Sequence, residues 1–166
     1  LQLKPLFRIM GLALALALAA CHDSSSVSGG APAPVDAYAP ETTSEDGYLT
    51  LTDGTRLRYH WERAVDAPPG PVVMQYDGYD AGTGGYFSNI PGVKAKLLLR
   101  GYTVLGVSVR GTGCSSGGFS LFDPQWGIDG AEAVEWAAVQ PWSDGNIGMI
   151  GYSYPGIMQL FTAAQR

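Results

Sequence analysis

Apolar and polar positions alternate in short runs over residues 47–61, and the alternation is interrupted at Thr52-Asp53-Gly54-Thr55. Asp-Gly supplies the positive φ angles of a tight turn, so this pattern predicts two antiparallel strands. Pro68-Pro69-Gly70 breaks the chain, and the apolar run over 71–76, with β-branched Val72 and Val73, predicts the next strand. A glycine-rich loop follows. Over residues 93–100 the period lengthens: Val93, Leu97 and Leu98 share one face of a helix, and Gly101 stands where a C-cap is expected. Residues 102–109 predict a strand whose near-continuous apolar run, Val104-Leu105-Gly106-Val107, suits burial on both faces of a parallel sheet. After a loop over 110–118, Ala131, Val134, Glu135 and Ala138 fit an amphipathic helix over 128–140, ended by Pro141. Asp144-Gly145 then turns the chain into a last apolar strand over 146–150, and a further helix follows it.

This order of elements predicts an α/β protein, the N-terminal half of an α/β-hydrolase fold with a mostly parallel sheet and an N-terminal antiparallel hairpin. The candidate chemistry lies just past the last strand, in Gly151-Tyr152-Ser153-Tyr154-Pro155-Gly156. A serine hydroxyl is a poor nucleophile unless it is held clear of the backbone, within reach of a base and beside donors for an oxyanion. A strained strand-to-helix turn achieves this, provided that small residues let strand and helix approach. Gly151 and Gly156 supply them, the second one residue later than in Gly-x-Ser-x-Gly. Pro155 fits the first turn of the helix, where its missing N–H had no partner. Ser153 is therefore the candidate nucleophile.

Composition adds little until the N-terminus is considered. The 166 residues are 46% hydrophobic and 15% charged, an ordinary globular balance, and the net charge of −5 with no basic stripe argues against nucleic acid as a partner. Lys4 and Arg8 precede an apolar run over 9–20 that is too short for a comfortable membrane span. It ends Leu18-Ala19-Ala20-Cys21, which resembles the lipobox of bacterial lipoproteins. The expected organisation is a lipoprotein signal peptide over 1–20, Cys21 as the lipidated first residue of the mature chain, a flexible Ser/Gly/Ala/Pro/Thr linker over 21–44, and a partial catalytic domain over 45–166. The expected location is the bacterial cell envelope, and His22, where retention in the inner membrane is associated with aspartate, favours the outer membrane. With Cys21 lipidated, no internal disulfide is expected for Cys114.

Several motifs in order carry a closer resemblance. They are Val109-Arg110-Gly111-Thr112-Gly113-Cys114-Ser115-Ser116-Gly117-Gly118, Asp129-Gly130, Glu135-Trp136, Gln140-Pro141-Trp142, Asp144-Gly145-Asn146-Ile147-Gly148-Met149 and Gly151-Tyr152-Ser153-Tyr154-Pro155-Gly156. Together they resemble the cocaine-esterase and X-prolyl dipeptidyl peptidase (CocE/NonD) family of serine hydrolases, over about residues 47–166. The resemblance implies Ser153 as nucleophile, the Tyr79 phenol as one oxyanion donor and the backbone N–H of Tyr154 as the other, with Tyr76 as a nearby competitor for Tyr79. It implies a small-molecule ester or amide substrate and no cofactor or metal. Arg110 is expected to organise the loop after its strand, and His60 to be a surface or edge-strand histidine.

Between Ser153 and Arg166 there is no His, Asp or Glu, and in the family fold the acid and the histidine follow the serine. The expectation is an N-terminal fragment, truncated after the elbow, whose acid and base lie beyond Arg166 and which is inactive by itself. The parent is expected to be a serine hydrolase acting through an acyl-enzyme. Carboxylesterase is the first choice, with X-prolyl dipeptidyl peptidase and amino-acid ester acylase left open. The alternative is a non-catalytic surface lipoprotein that uses the partial fold as a binding module.

Overall fold

A computed structural model describes residues 39–87 and 92–165. The signal peptide, Cys21 and most of the expected linker lie outside the described residues. Within them, β1 (Thr42–Thr50) and β2 (Arg56–Ala64) form the hairpin, in register from Thr42 opposite Ala64 to Thr50 opposite Arg56. Its turn closes through Gly54 N–H to Leu51 O at 2.9 Å with Gly54 at φ 84°, and the Asp53 carboxylate accepts the Thr55 N–H at 2.8 Å. β1 begins inside the segment expected to be linker: Thr42, Thr43 and Ser44 find main-chain partners on β2, and two of them are β-branched.

Three more strands complete the sheet: β3 (Gly70–Asp77), β4 (Thr103–Ser108) and β5 (Ser143–Met149). The order is β1-β2-β4-β3-β5, with β2 antiparallel to β4, and β3 parallel to both β4 and β5. Every residue of β4 is buried, as its unbroken apolar run requires. Gly106 in this strand leaves no room for a side chain, because the Ala81 carbonyl and the Tyr86 ring lie against it.

Among the described residues, three α-helices cover the sheet: α1 (Val93–Leu98), α2 (Gln125–Ala138) and α3 (Tyr154–Ala163). Gly101, at φ 78°, ends the first of them, its N–H bonding Leu98 O at 3.0 Å. Helix α2 starts ahead of the expected residue 128 because Asp123 opens it: its carboxylate accepts the Gln125 N–H and its carbonyl the Trp126 N–H, both at 3.0 Å. Val72, Met74 and Tyr76 of β3 join Trp126, Ala133 and Ala137 of α2 and Met158 of α3 in the larger core. The alternate residue Val73 faces Leu98 of α1 and the smaller core on the other side. α1 thus lies on one face of the sheet, and α2 and α3 on the other.

Candidate active site

The chain leaves β3 toward α1 on one face and leaves the neighbouring β5 toward α3 on the other. Loops that diverge from the carboxyl ends of adjacent parallel strands open a crevice between them, and Tyr79 follows the end of β3 as Ser153 follows that of β5.

Ser153 adopts φ 62° and ψ −121°, a conformation strained for any residue with a side chain, and stands exposed immediately before α3 with its hydroxyl capping nothing. The turn is as tight as its sequence suggests. A Cβ on Gly151 would come within 2.5 Å of Pro155, and one on Gly156 within 3.3 Å of the Gly151 carbonyl. The helix begins at once, with Ile157 N–H on Ser153 O at 3.1 Å. Gln159, one turn further on, braces the elbow: with its side-chain amide turned so that both neighbours are satisfied, its nitrogen donates to Met149 O at 3.1 Å and its oxygen accepts the Gly151 N–H at 2.9 Å.

Tyr154 is the first residue of α3, so its N–H is among those that a helix leaves without an internal acceptor. Its ring meets that of Tyr79 edge-on at 5.3 Å, and that of Trp126 at 5.2 Å. Burial, and then the negative charge of Asp77, push the Tyr154 phenol up to about 12. Tyr79 itself is 62% exposed, whereas Tyr76 is 1% exposed with its ring in the larger core. Of the two tyrosines weighed for the oxyanion role, Tyr79 is the exposed one, against the Tyr154 ring.

Arg110 ties the loop after β4 to its surroundings. Its Nε and a terminal nitrogen grip the fully buried Asp129 of α2 at 2.5 and 2.6 Å, and the terminal nitrogen also reaches Asp53 in the hairpin turn at 2.9 Å. This is the organising role expected of it. Asp129 was legible as part of a motif but not as the partner of Arg110.

Two expectations need correction. His60 is on β2, which is flanked by β1 and β4, so it is not on an edge strand. Its Nδ1 lies 3.1 Å from Asp46 and its ring 5.6 Å from that of Tyr86, and its side chain is 17% exposed. Cys114, for which no internal disulfide was expected, is disulfide-bonded. Missed altogether were Gln159, and Gln75 and Asp77 at the end of β3, whose polar character sits inside an otherwise apolar strand.

A serine held at positive φ between a parallel strand and its helix, in a sheet of this order, is the work of an α/β hydrolase. The chain belongs to the X-Pro dipeptidyl-peptidase (S15) family, which its residues 53–166 match. It is 31% identical over 112 residues to the cocaine esterase of Rhodococcus sp. (strain MB1 Bresler), a stretch that covers 67% of this chain and 19% of that protein. Its fold superposes on a CocE/NonD family hydrolase from Staphylococcus aureus with a TM-score of 0.64 at 25% identity, covering 79% of this chain and 29% of the other. It also superposes on an α-amino acid ester hydrolase with a TM-score of 0.63 at 20% identity, covering 84% and 25%. The chain thus spans a fifth to a third of the length of these relatives. None of them supports the binding-module alternative.

Proposed function

We propose that the protein is a serine hydrolase of esters or amides in which Ser153 attacks the acyl carbon. The observation that carries this is the strained, exposed Ser153, followed by Tyr154 whose ring meets that of Tyr79 at 5.3 Å. As the serine oxygen bonds to carbon, its proton passes to a histidine, and the carbonyl oxygen takes up negative charge. The Tyr79 phenol and the Tyr154 N–H receive that charge, and each such donor contributes about 3 kcal/mol to transition-state stability. Collapse of the tetrahedral intermediate expels the alcohol or amine, protonated by the same histidine, and leaves an acyl-serine. Water, deprotonated by the histidine, then releases the acid.

His60 is not offered as that base, since it is bound to Asp46 on the hairpin and sits before the serine in the chain. The base and its acid are proposed to come from a later part of the protein, in keeping with the small share of its relatives that this chain spans. Carboxyl esters are the proposed substrates, on the strength of the likeness to cocaine esterase.

A fluorophosphonate probe incubated with the full-length protein is expected to label the peptide that contains Ser153. Labelling of a different serine, with Ser153 untouched, would overturn the reading.

The proposed location is the cell envelope, by a lipid on Cys21. Its support is the Leu18-Ala19-Ala20-Cys21 ending of the apolar run. Cys21→Ala is expected to move the protein from the membrane fraction to the soluble one. The chain's two cysteines are Cys21 and Cys114, so this proposal stands against the disulfide of Cys114: a thioether on Cys21 excludes it, and non-reducing peptide mapping that finds Cys21 in a disulfide would end the proposal.

A further inference from the structure

Asp77 ends β3 as a fully buried carboxylate, and the reaction set out above gives it no part. Among the described residues it has no cationic partner. What it has are N–H donors. Its Oδ1 accepts the Tyr79 N–H at 2.8 Å and, more loosely, the Ala81 N–H at 3.4 Å, while its Oδ2 accepts the side-chain amide of Gln75 at 2.5 Å. Gln75, also buried, uses its Oε1 to accept the Phe87 N–H at 2.8 Å. The two side chains project from the same face of β3 and hold the loop that displays Tyr79 at two points, Tyr79 and Phe87.

A buried carboxylate is a costly way to fill space, because removing its charge from water is offset only by strong hydrogen bonds. An apolar residue at this position would pack without that cost. The need for an acceptor is visible in the loop. Tyr79 is 62% exposed, and among the described residues its ring makes one aromatic contact, with Tyr154, so side-chain packing does little to fix it. The next residue, Asp80, lies at φ 116°, a strained conformation that persists only where its surroundings hold it. The preceding Gly78 has Thr112 and Tyr154 within 3.5 Å of where a Cβ would be. The Asp77 to Tyr79 bond is the fixed point between these two.

We infer that Asp77, braced by Gln75, is a positioning residue that sets the main chain at Tyr79 and thereby aims the Tyr79 phenol at the oxyanion opposite Ser153. This rests on the oxyanion role proposed for Tyr79. Displacements of about 1 Å in such a donor cost on the order of 100-fold in rate.

The test is a set of steady-state measurements on a nitrophenyl ester with the full-length protein. Tyr79→Phe is expected to lower kcat by about 100- to 1000-fold. Asp77→Asn puts an amide N–H against the Gln75 amide, donor to donor, and is expected to lower kcat by about 10- to 100-fold with KM within about twofold. It is expected to add nothing in the Tyr79→Phe background. The reciprocal variant Gln75→Glu/Asp77→Asn restores the link with its polarity reversed: the new amide donates to the new carboxylate, whose second oxygen still accepts the Phe87 N–H. Most of the lost kcat is expected to return in it. Should Asp77→Asn fail to fold, Gln75→Met carries the same expectation of a kcat loss that vanishes in the Tyr79→Phe background.

A wild-type kcat in Tyr79→Phe overturns the oxyanion role and this inference with it. A slow Tyr79→Phe whose deficit multiplies with that of Asp77→Asn or Gln75→Met overturns this inference alone.

Discussion

Ser153→Ala in the full-length protein is expected to reduce kcat on a nitrophenyl ester by about 10⁴- to 10⁶-fold, the loss that follows when the nucleophile of a serine hydrolase is removed and only oxyanion donors and binding remain. Ser153→Gly is expected to be as inactive but more stable. The reason lies in the backbone. At φ 62° and ψ −121° Ser153 occupies a region that glycine enters without strain and that a Cβ makes unfavourable, at a cost of about 1 kcal/mol or more. Alanine keeps that Cβ, so it removes the chemistry and leaves the strain. Thermal melts of the three proteins are therefore expected to place Ser153→Gly above both wild type and Ser153→Ala. A Ser153→Ala enzyme with wild-type kcat would remove Ser153 from the reaction. A Ser153→Gly protein no more stable than Ser153→Ala would show that the turn stores no strain at this residue.

What the sequence discloses about this site divides along the range of the interactions involved. The elbow was legible because its requirements are local: Gly151 and Gly156 make room within the same few residues, and Pro155 starts the helix they lead into. Strand β4 was legible because burial on both faces leaves an unbroken apolar run. The choice between Tyr76 and Tyr79 was not settled by pattern alone, since both lie near the end of one strand. It turns on β3 continuing through Asp77, which directs Tyr76 into the core and leaves Tyr79 on the loop beyond.

The supports of the site were harder to read. Gln159 is a polar residue at an ordinary helix position until the elbow folds back over it and presents Met149 O and Gly151 N–H. Gln75 and Asp77 look like the polar end of an apolar strand, and their partners, Tyr79 and Phe87, are reached only because the following loop returns along the sheet. Trp126, wholly buried against Tyr154 and Phe161, falls outside the helix that the apolar period predicts, because the start signal is Asp123, three residues before Trp126. In each case the residue type is compatible with a bland surface role, and its meaning comes from a contact made in three dimensions.

The largest effect on stability is expected from Arg110→Met. Asp129 is 0% exposed, and Arg110 holds both of its oxygens, while Gln125 adds one further donor at 2.9 Å. Taking away the guanidinium leaves a buried carboxylate with an amide as its remaining side-chain donor, which costs about 3–5 kcal/mol, or a fall of about 10 °C in Tm for a domain of this size. Burial, and then this same buried charge, push the Tyr76 phenol well above its ordinary range. Arg110→Met/Asp129→Leu removes the charge together with its partner, so most of the lost Tm is expected to return in it, because an apolar pair has no unpaired ion to bury. The outer arm of the cluster behaves differently. The Thr55 N–H and then Arg110 hold the Asp53 carboxyl down at about 2, and since this is below its ordinary value, its contribution is present above about pH 4 and is lost as the pH falls toward 2. Asp53→Asn is therefore expected to lower Tm slightly at pH 7, to flatten the acid side of the stability profile by the same small margin, and to match wild type near pH 2, the effect being small because that carboxylate is exposed and screened by water. If Arg110→Met melts within a degree or two of wild type, or if the double variant is no better than the single one, the Arg110–Asp129 pair is not what holds the loop after β4 to α2.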